Sequence, residues 1–151
     1  MSFLSSFIRT DTKNSAPLEI IDCSSANNIR SPICIEKEKA LVEKSKIISL
    51  LQEVKSNSYI LANRAYKDVI EAQREGDSFF EEQYFGQAFT SYYLAKSRLE
   101  TLIQDSKIKL KKLLEEGRLS LDSGNWEQSL IDFKSALEID NLNLEAKEGL
   151  E

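Results

Sequence analysis

Histidine is absent from the 151 residues of this chain. That removes the commonest general base and the commonest metal ligand together. Ser-His-Asp and Cys-His arrangements are excluded, and so is any zinc site that needs imidazole. Gly-rich phosphate loops, a Walker lysine and an acidic calcium loop are missing as well. Paired carboxylates such as Glu71 with Glu75, or Glu81 with Glu82, read as solvated helix surface. No catalytic residue, metal ligand or cofactor is expected, and the chain does not read as an enzyme.

Proline is nearly missing too, with only Pro17 and Pro32, and there are just five glycines. Few tight turns follow, which favours long helices over many short strands. Cys23 and Cys34 are the only cysteines. They form no zinc-type pair and are too few for a secreted disulfide framework. Eleven positions apart, they would close a small loop in an oxidising compartment; the default is two unpaired thiols in a reduced cytosol.

No apolar run approaches the roughly 20 residues that span a bilayer. The opening Met1-Ser2-Phe3-Leu4-Ser5-Ser6-Phe7-Ile8 is short and serine-broken, unlike a signal peptide. A cytoplasmic location is the default, with periplasmic or secreted locations left open. An excess of basic charge is also lacking: the net charge is −5. Nucleic-acid binding, which needs a dense basic face, is therefore not expected. Lys107, Lys109, Lys111 and Lys112 are followed at once by Glu115 and Glu116, and read as a solvated helix face.

What is present divides the chain in two. Residues 1–34 are rich in Ser and Asn, hold both prolines and lack a helical period, as an extended or disordered arm would. Residues 35–151 interleave charged and apolar residues at helical spacing. The expected helices run from Ile35 to about Lys55, from Tyr59 to Phe80, and from Tyr84 to Ile103. Two more run from Ile108 to Leu121 and from Trp126 to Ile139, with a fragment over 143–151. Breaks are expected at Ser56-Asn57-Ser58, Asp105-Ser106 and Asp122-Ser123-Gly124-Asn125, and Asn143 caps the last fragment.

Two helix pairs carry one pattern. Gly76 is followed by Phe79, Phe85, Ala88, Tyr92 and Ala95. Gly117, 41 positions on, is followed by Trp126, Ser129, Phe133 and Ala136. In both, the offsets from glycine are nine to an aromatic, twelve to a small residue, sixteen to an aromatic and nineteen to alanine. Helices approach closely only where one side is small, so the glycines belong at the contact within each pair.

This alternation resembles the tetratricopeptide repeat, whose period is about 34 residues. The excess of seven is close to two helical turns, which keeps a longer helix in phase. The resemblance implies an all-α fold: antiparallel helix pairs stacked as a short right-handed array. The first repeat lies at about 69–103 and the second at about 108–141. The helix from Ile35 is expected to cap the array by packing on the Tyr59–Phe80 helix.

The resemblance also implies a function, a scaffold or adaptor that holds a protein or peptide in a groove. Its groove-facing residues are Gln73, Arg74, Asp77 and Phe80, then Lys111, Leu114, Arg118 and Leu121. The alternative is an architectural bundle that self-associates through Phe80, Phe89, Tyr93 and the arm, as a homo-oligomer. A third option is the N-terminal segment of a larger repeat protein.

Overall fold

The computed structural model describes residues 19–25, 27 and 31–151. Most of the arm expected over 1–34 lies outside the described residues. Among those described, the protein is all-helical with no strand. Helix α1 spans Pro32–Val54, α2 Ser58–Leu61, α3 Arg64–Glu81, α4 Phe85–Asp122, α5 Trp126–Ile139 and α6 Leu144–Glu148.

Asparagine begins most of these helices. Asn57, Asn63, Asn125 and Asn143 each accept a hydrogen bond from a backbone N–H of the turn they precede, satisfying a donor the helix leaves free. Asn63 is the unexpected member. It breaks the expected Tyr59–Phe80 helix into α2 and α3. Helix α1 opens at Pro32, capped by the Ser31 hydroxyl, because proline at the first helical position gives up only an N–H that has no partner anyway.

Helix α4 is the main departure from the expected outline. Its 38 residues run unbroken where a turn at Asp105-Ser106 was expected. Ser106 has the composition of a cap, but it lies inside the buried stripe of Ala95, Leu99, Leu102 and Leu113. Its hydroxyl donates to the Ile103 carbonyl at 2.8 Å, so the helix itself satisfies it. At about 1.5 Å per residue, α4 is roughly 57 Å long.

Everything else packs along it. Helix α3 runs antiparallel to the first half of α4, with Gly76 against Tyr92 and the Ser91 hydroxyl donating to Glu75. Helix α5 runs antiparallel to the second half, with Gly117 against Phe133. Helix α1 was expected on the Tyr59–Phe80 segment. It lies instead mainly along α4, in parallel: Lys37 sits over Phe85, Glu43 faces Lys96, and Val54 reaches the level of Ile103 and Ser106. The core forms two clusters, one around Ile47, Val69, Tyr92 and Leu99, the other around Leu113, Phe133 and Ile139; Tyr59 packs against both.

A disulfide joins Cys23 to Cys34, so the default of free thiols is corrected. It ties the segment before α1 to the first turn of that helix, where Cys34 is buried.

The two helix pairs correspond across the same 41 positions in backbone detail. After α3, Gln83 N–H donates to Phe80 and Tyr84 N–H to Phe79; after α4, Gly124 N–H donates to Leu121 and Asn125 N–H to Ser120. Both turns use a left-handed residue, Gln83 at φ 65° and Gly124 at φ 77°. Only glycine adopts this without a penalty. Gly124→Ala is expected to cost about 1 kcal/mol, while Gln83→Gly is expected to gain about 0.5 kcal/mol. Thermal unfolding of both variants should shift in opposite directions.

A Cβ on Gly76 would lie 2.7 Å from the Tyr92 ring. That ring cannot yield, because its hydroxyl donates to Asp77 at 2.7 Å. Gly76→Ala is expected to destabilise by about 1–3 kcal/mol despite its better helix propensity. Gly86→Ala is the control, since its nearest neighbour would be Glu36 at 3.7 Å. Denaturant titration should show the first variant less stable and the second unchanged or improved.

Candidate functional site

The eight groove residues named above fall into two groups that the fold treats differently. On α3, Gln73 is half-buried and Arg74 exposed. Asp77 and Phe80 are turned toward α1. Lys44 Nζ sits 2.7 Å from Asp77 Oδ1 and 5.7 Å from the Phe80 ring centroid. Phe80 also meets Phe85 edge-to-face at 5.0 Å. Helix α1 therefore occupies this part of the surface. The Tyr92 phenol completes the cluster; burial, and then its bond to Asp77, push it well above its ordinary pKa.

On α4 the outcome is different. Lys111, Leu114 and Arg118 line one cavity of about 230 Å³ together with Lys107, Leu110 and Glu145. Leu121 is half-buried and lies outside that lining. A second cavity, of about 270 Å³, adjoins the first through Lys107 and Leu110. One of its walls is the end of α1 and α2, with Glu53, Asn57 and Ile60; the other is the end of α5, with Ile139, Asp140 and Asn141. Its floor is Ile103 and Ser106 of α4.

The two cavities form a trough along α4 from Ile103 to Arg118, about 22 Å long at helical rise. Apolar side chains alternate with polar ones along it. Both signs of charge occur along it: Glu53 and Asp140 at one end, Lys107 shared by both cavities, and Lys111, Arg118 and Glu145 at the other. Arg118 Nε pairs with Glu145 Oε1 of α6 at 2.8 Å, both side chains well exposed, so the pair contributes little to stability. Polar groups spaced along an apolar floor suit an extended or helical polypeptide.

Lys107 and Leu110 are trough residues that the sequence did not single out. The lysine run splits by helical phase: Lys107 and Lys111 face the trough, whereas Lys112 pairs with Glu116 at 3.5 Å. The i, i+4 spacing of Lys107 and Lys111, matched by Leu110 and Leu114 on the same face, was the available signal. It becomes legible only once α4 is known to be continuous. Of the self-association residues, Phe80 packs on Phe85, and the exposed Tyr93 stacks on Phe89 at 6.2 Å.

Away from the trough, Glu43 is a buried carboxylate between two cations. It accepts a hydrogen bond from Lys46 at 2.6 Å, and Lys96 Nζ lies 3.4 Å from its other oxygen. Among the described residues there is no cluster of acidic, cysteine or histidine side chains able to hold a metal, and no helix long and apolar enough to cross a membrane. No protein-family model, curated protein or solved structure matches the chain.

Burial raises the Glu43 carboxyl, but the Lys46 hydrogen bond and the charges of Lys96 and Lys46 outweigh it and hold the pKa below the ordinary value. A carboxyl depressed by folding stabilises the fold above its unfolded pKa, about 4.3, and ceases to as pH falls through its folded value. Glu43→Gln is expected to lower Tm at neutral pH, with the deficit shrinking below about pH 4. Melting curves across that range, wild type beside variant, check it.

Proposed function

We propose that this chain is a protein-interaction module of tetratricopeptide-like design, which holds a peptide or helix of another protein in the α4 trough. The observation that carries the reading is the trough itself. It offers Ile60, Ile103, Leu110 and Leu114 as apolar contacts, with Asn57, Lys107, Lys111, Asn141 and Arg118 placed to fix a backbone or a charged side chain. Side chains of this mix serve recognition; none forms a nucleophile–base pair.

The tetratricopeptide reading is supported by the shared 41-residue geometry: a glycine against an aromatic ring sixteen positions on, and a left-handed residue closing each turn. It differs from a simple stack in one respect. The second helix of the first pair and the first helix of the second pair are a single rod, α4. A partner engages the face of one helix rather than a groove between separate repeats.

The Cys23–Cys34 bond favours an oxidising compartment for this work over the cytosol, because such bonds persist where thiols are not kept reduced.

Leu114→Glu combined with Arg118→Glu is the direct test. Both residues line the trough and neither is fully buried, so helix content should match wild type by circular dichroism. Partners captured by the wild-type protein from its native extract, identified by mass spectrometry, are expected to bind the double variant at least about tenfold more weakly. Equal capture by a properly folded double variant would remove the trough from the binding reaction.

A further inference from the structure

Helix α1 lies over the outer seam of the first helix pair, where α4 presents Phe85, Tyr92 and Lys96 on one face. Lys37 sits 5.7 Å from the Phe85 ring centroid and Lys44 sits 5.7 Å from that of Tyr92. Glu43 Oε2 lies 3.4 Å from Lys96 Nζ. This face thus receives two kinds of contact from its covering helix: a cation beside a ring, and a carboxylate beside a lysine.

Eighteen residues are about five turns of α-helix, so the same face of α4 returns further along. Phe85 is succeeded by Ile103, Phe89 by Lys107, Tyr92 by Leu110 and Lys96 by Leu114. Those four successors all line the trough. The trough is therefore the continuation of the face that α1 covers. Val54, the last residue of α1, lies at its near end beside Ile103 and Ser106. There the chain turns aside through Asn57 into α2, which packs on α5 as well as on α4. At the far end α6 lines the trough through Glu145 alone, and Gly149 beyond it lies against Phe133, outside the lining.

Charge on this second stretch is uncompensated at two positions. Lys107 and Lys111 are exposed, one turn apart, and take part in no ion pair among the described residues. Arg118 pairs with Glu145, and Lys112 with Glu116. Two lysines at i, i+4 repel each other unless an anion is shared between them. The near end carries the opposite sign, with Glu53 and Asp140 beside the C-terminus of α1 and its outward carbonyls.

We propose that the trough receives an acidic amphipathic helix of a partner protein, laid end to end with α1 and parallel to it. This rests on the trough reading above and names the chemistry of its partner. Continuity with the α1 face gives the shape, since the same face already carries a helix over its first five turns. Ile103, Leu110 and Leu114 take apolar side chains. Lys107 and Lys111 take carboxylates, as Lys96 takes Glu43. The positive end of the incoming helix dipole, its N-terminus, meets Glu53, Asp140 and the last turn of α1.

The probe is a synthetic helical peptide of about 16 residues, close to 24 Å long. It carries leucines at i, i+4, i+7 and i+11, glutamates beside that stripe, and a dansyl group at its C-terminus. A scrambled peptide of the same composition and a lysine-for-glutamate version serve as controls. The expected result is a saturable rise in dansyl anisotropy with the acidic helix alone, weakened by salt. Lys107→Glu combined with Lys111→Glu should weaken binding about tenfold and admit the lysine version instead. Trp126, the only tryptophan, follows the far end of α4. Energy transfer from it should be stronger to a C-terminal dansyl group than to an N-terminal one.

No binding, equal binding of the scrambled peptide, or undiminished affinity in the lysine double variant would overturn the proposal. So would stronger transfer to the N-terminal dansyl group. Self-association in sedimentation that the two lysine substitutions abolish would overturn it too, because a second copy would then fill the trough. The Leu114→Glu, Arg118→Glu variant separates this proposal from the reading beneath it. Partner capture undiminished in that variant removes the trough and the proposal together. Capture lost there, with no binding of the acidic helix to wild type, leaves the trough standing and overturns only the chemistry assigned to its partner.

Discussion

Unbroken helix α4 is the member through which the two halves of this protein are held in fixed relation. Helices α1 and α3 pack mainly on its first half and α5 on its second. With a flexible turn at Asp105-Ser106, those two halves would be free to rotate, and the trough between α2 and the end of α5 would have no fixed width. A continuous hydrogen-bonded helix removes that freedom, and Ser106 is accommodated in it, buried with its hydroxyl satisfied by the Ile103 carbonyl. The Asn57 amide reaches the Ser106 hydroxyl at 3.5 Å, so α2 is fastened at the same point.

The glycine–aromatic contacts set the next level of constraint. Gly76 and Gly117 let Tyr92 and Phe133 lie directly on a helix backbone, burying a large ring with almost no gap. Burial of such a ring contributes about 1.5–3 kcal/mol. Close approach also fixes axial register, because a ring opposite a glycine has only one place to sit. Asp77 then locks Tyr92 by its hydrogen bond. Phe133 has no hydroxyl to be held by; it is held between Gly117 and Gly149 instead.

Particular residues show what the sequence made legible and what it hid. The all-helical class followed from scarce glycine and proline, and Asn57 and Asn143 cap helices as their type and position suggested. Asp-Ser at 105–106 misled because capping composition and a buried small residue look alike in one dimension. Only the apolar stripe running through Leu102 and Leu113 distinguishes them. Asn63 was passed over because the apolar period of Ala62, Ala65 and Tyr66 masks a break. The position of α1 was hidden for another reason: its apolar residues fit either α3 or α4, and the choice rests on tertiary contacts. Lys107 and Leu110 were obscured in turn, since the trough exists only after α4 is continuous and α2 is in place.

The two helix pairs are covered to different extents among the described residues. Helix α1, with 23 residues, covers its whole seam and reaches over to engage Asp77 and Phe80. It covers part of an aromatic, charged surface, leaving Asp77 and Phe80 half-buried. Helix α6, with five residues, pairs with Arg118, and Gly149 just after it lies against Phe133. It holds the second pair together while leaving its upper seam in solvent. Exposing Trp126 and Leu130 to water forgoes stabilisation that burial of those side chains would give, by the area argument that makes Phe85 favourable in the equivalent place. The first pair is thus sealed by its cover, while Trp126 and Leu130 of the second remain exposed.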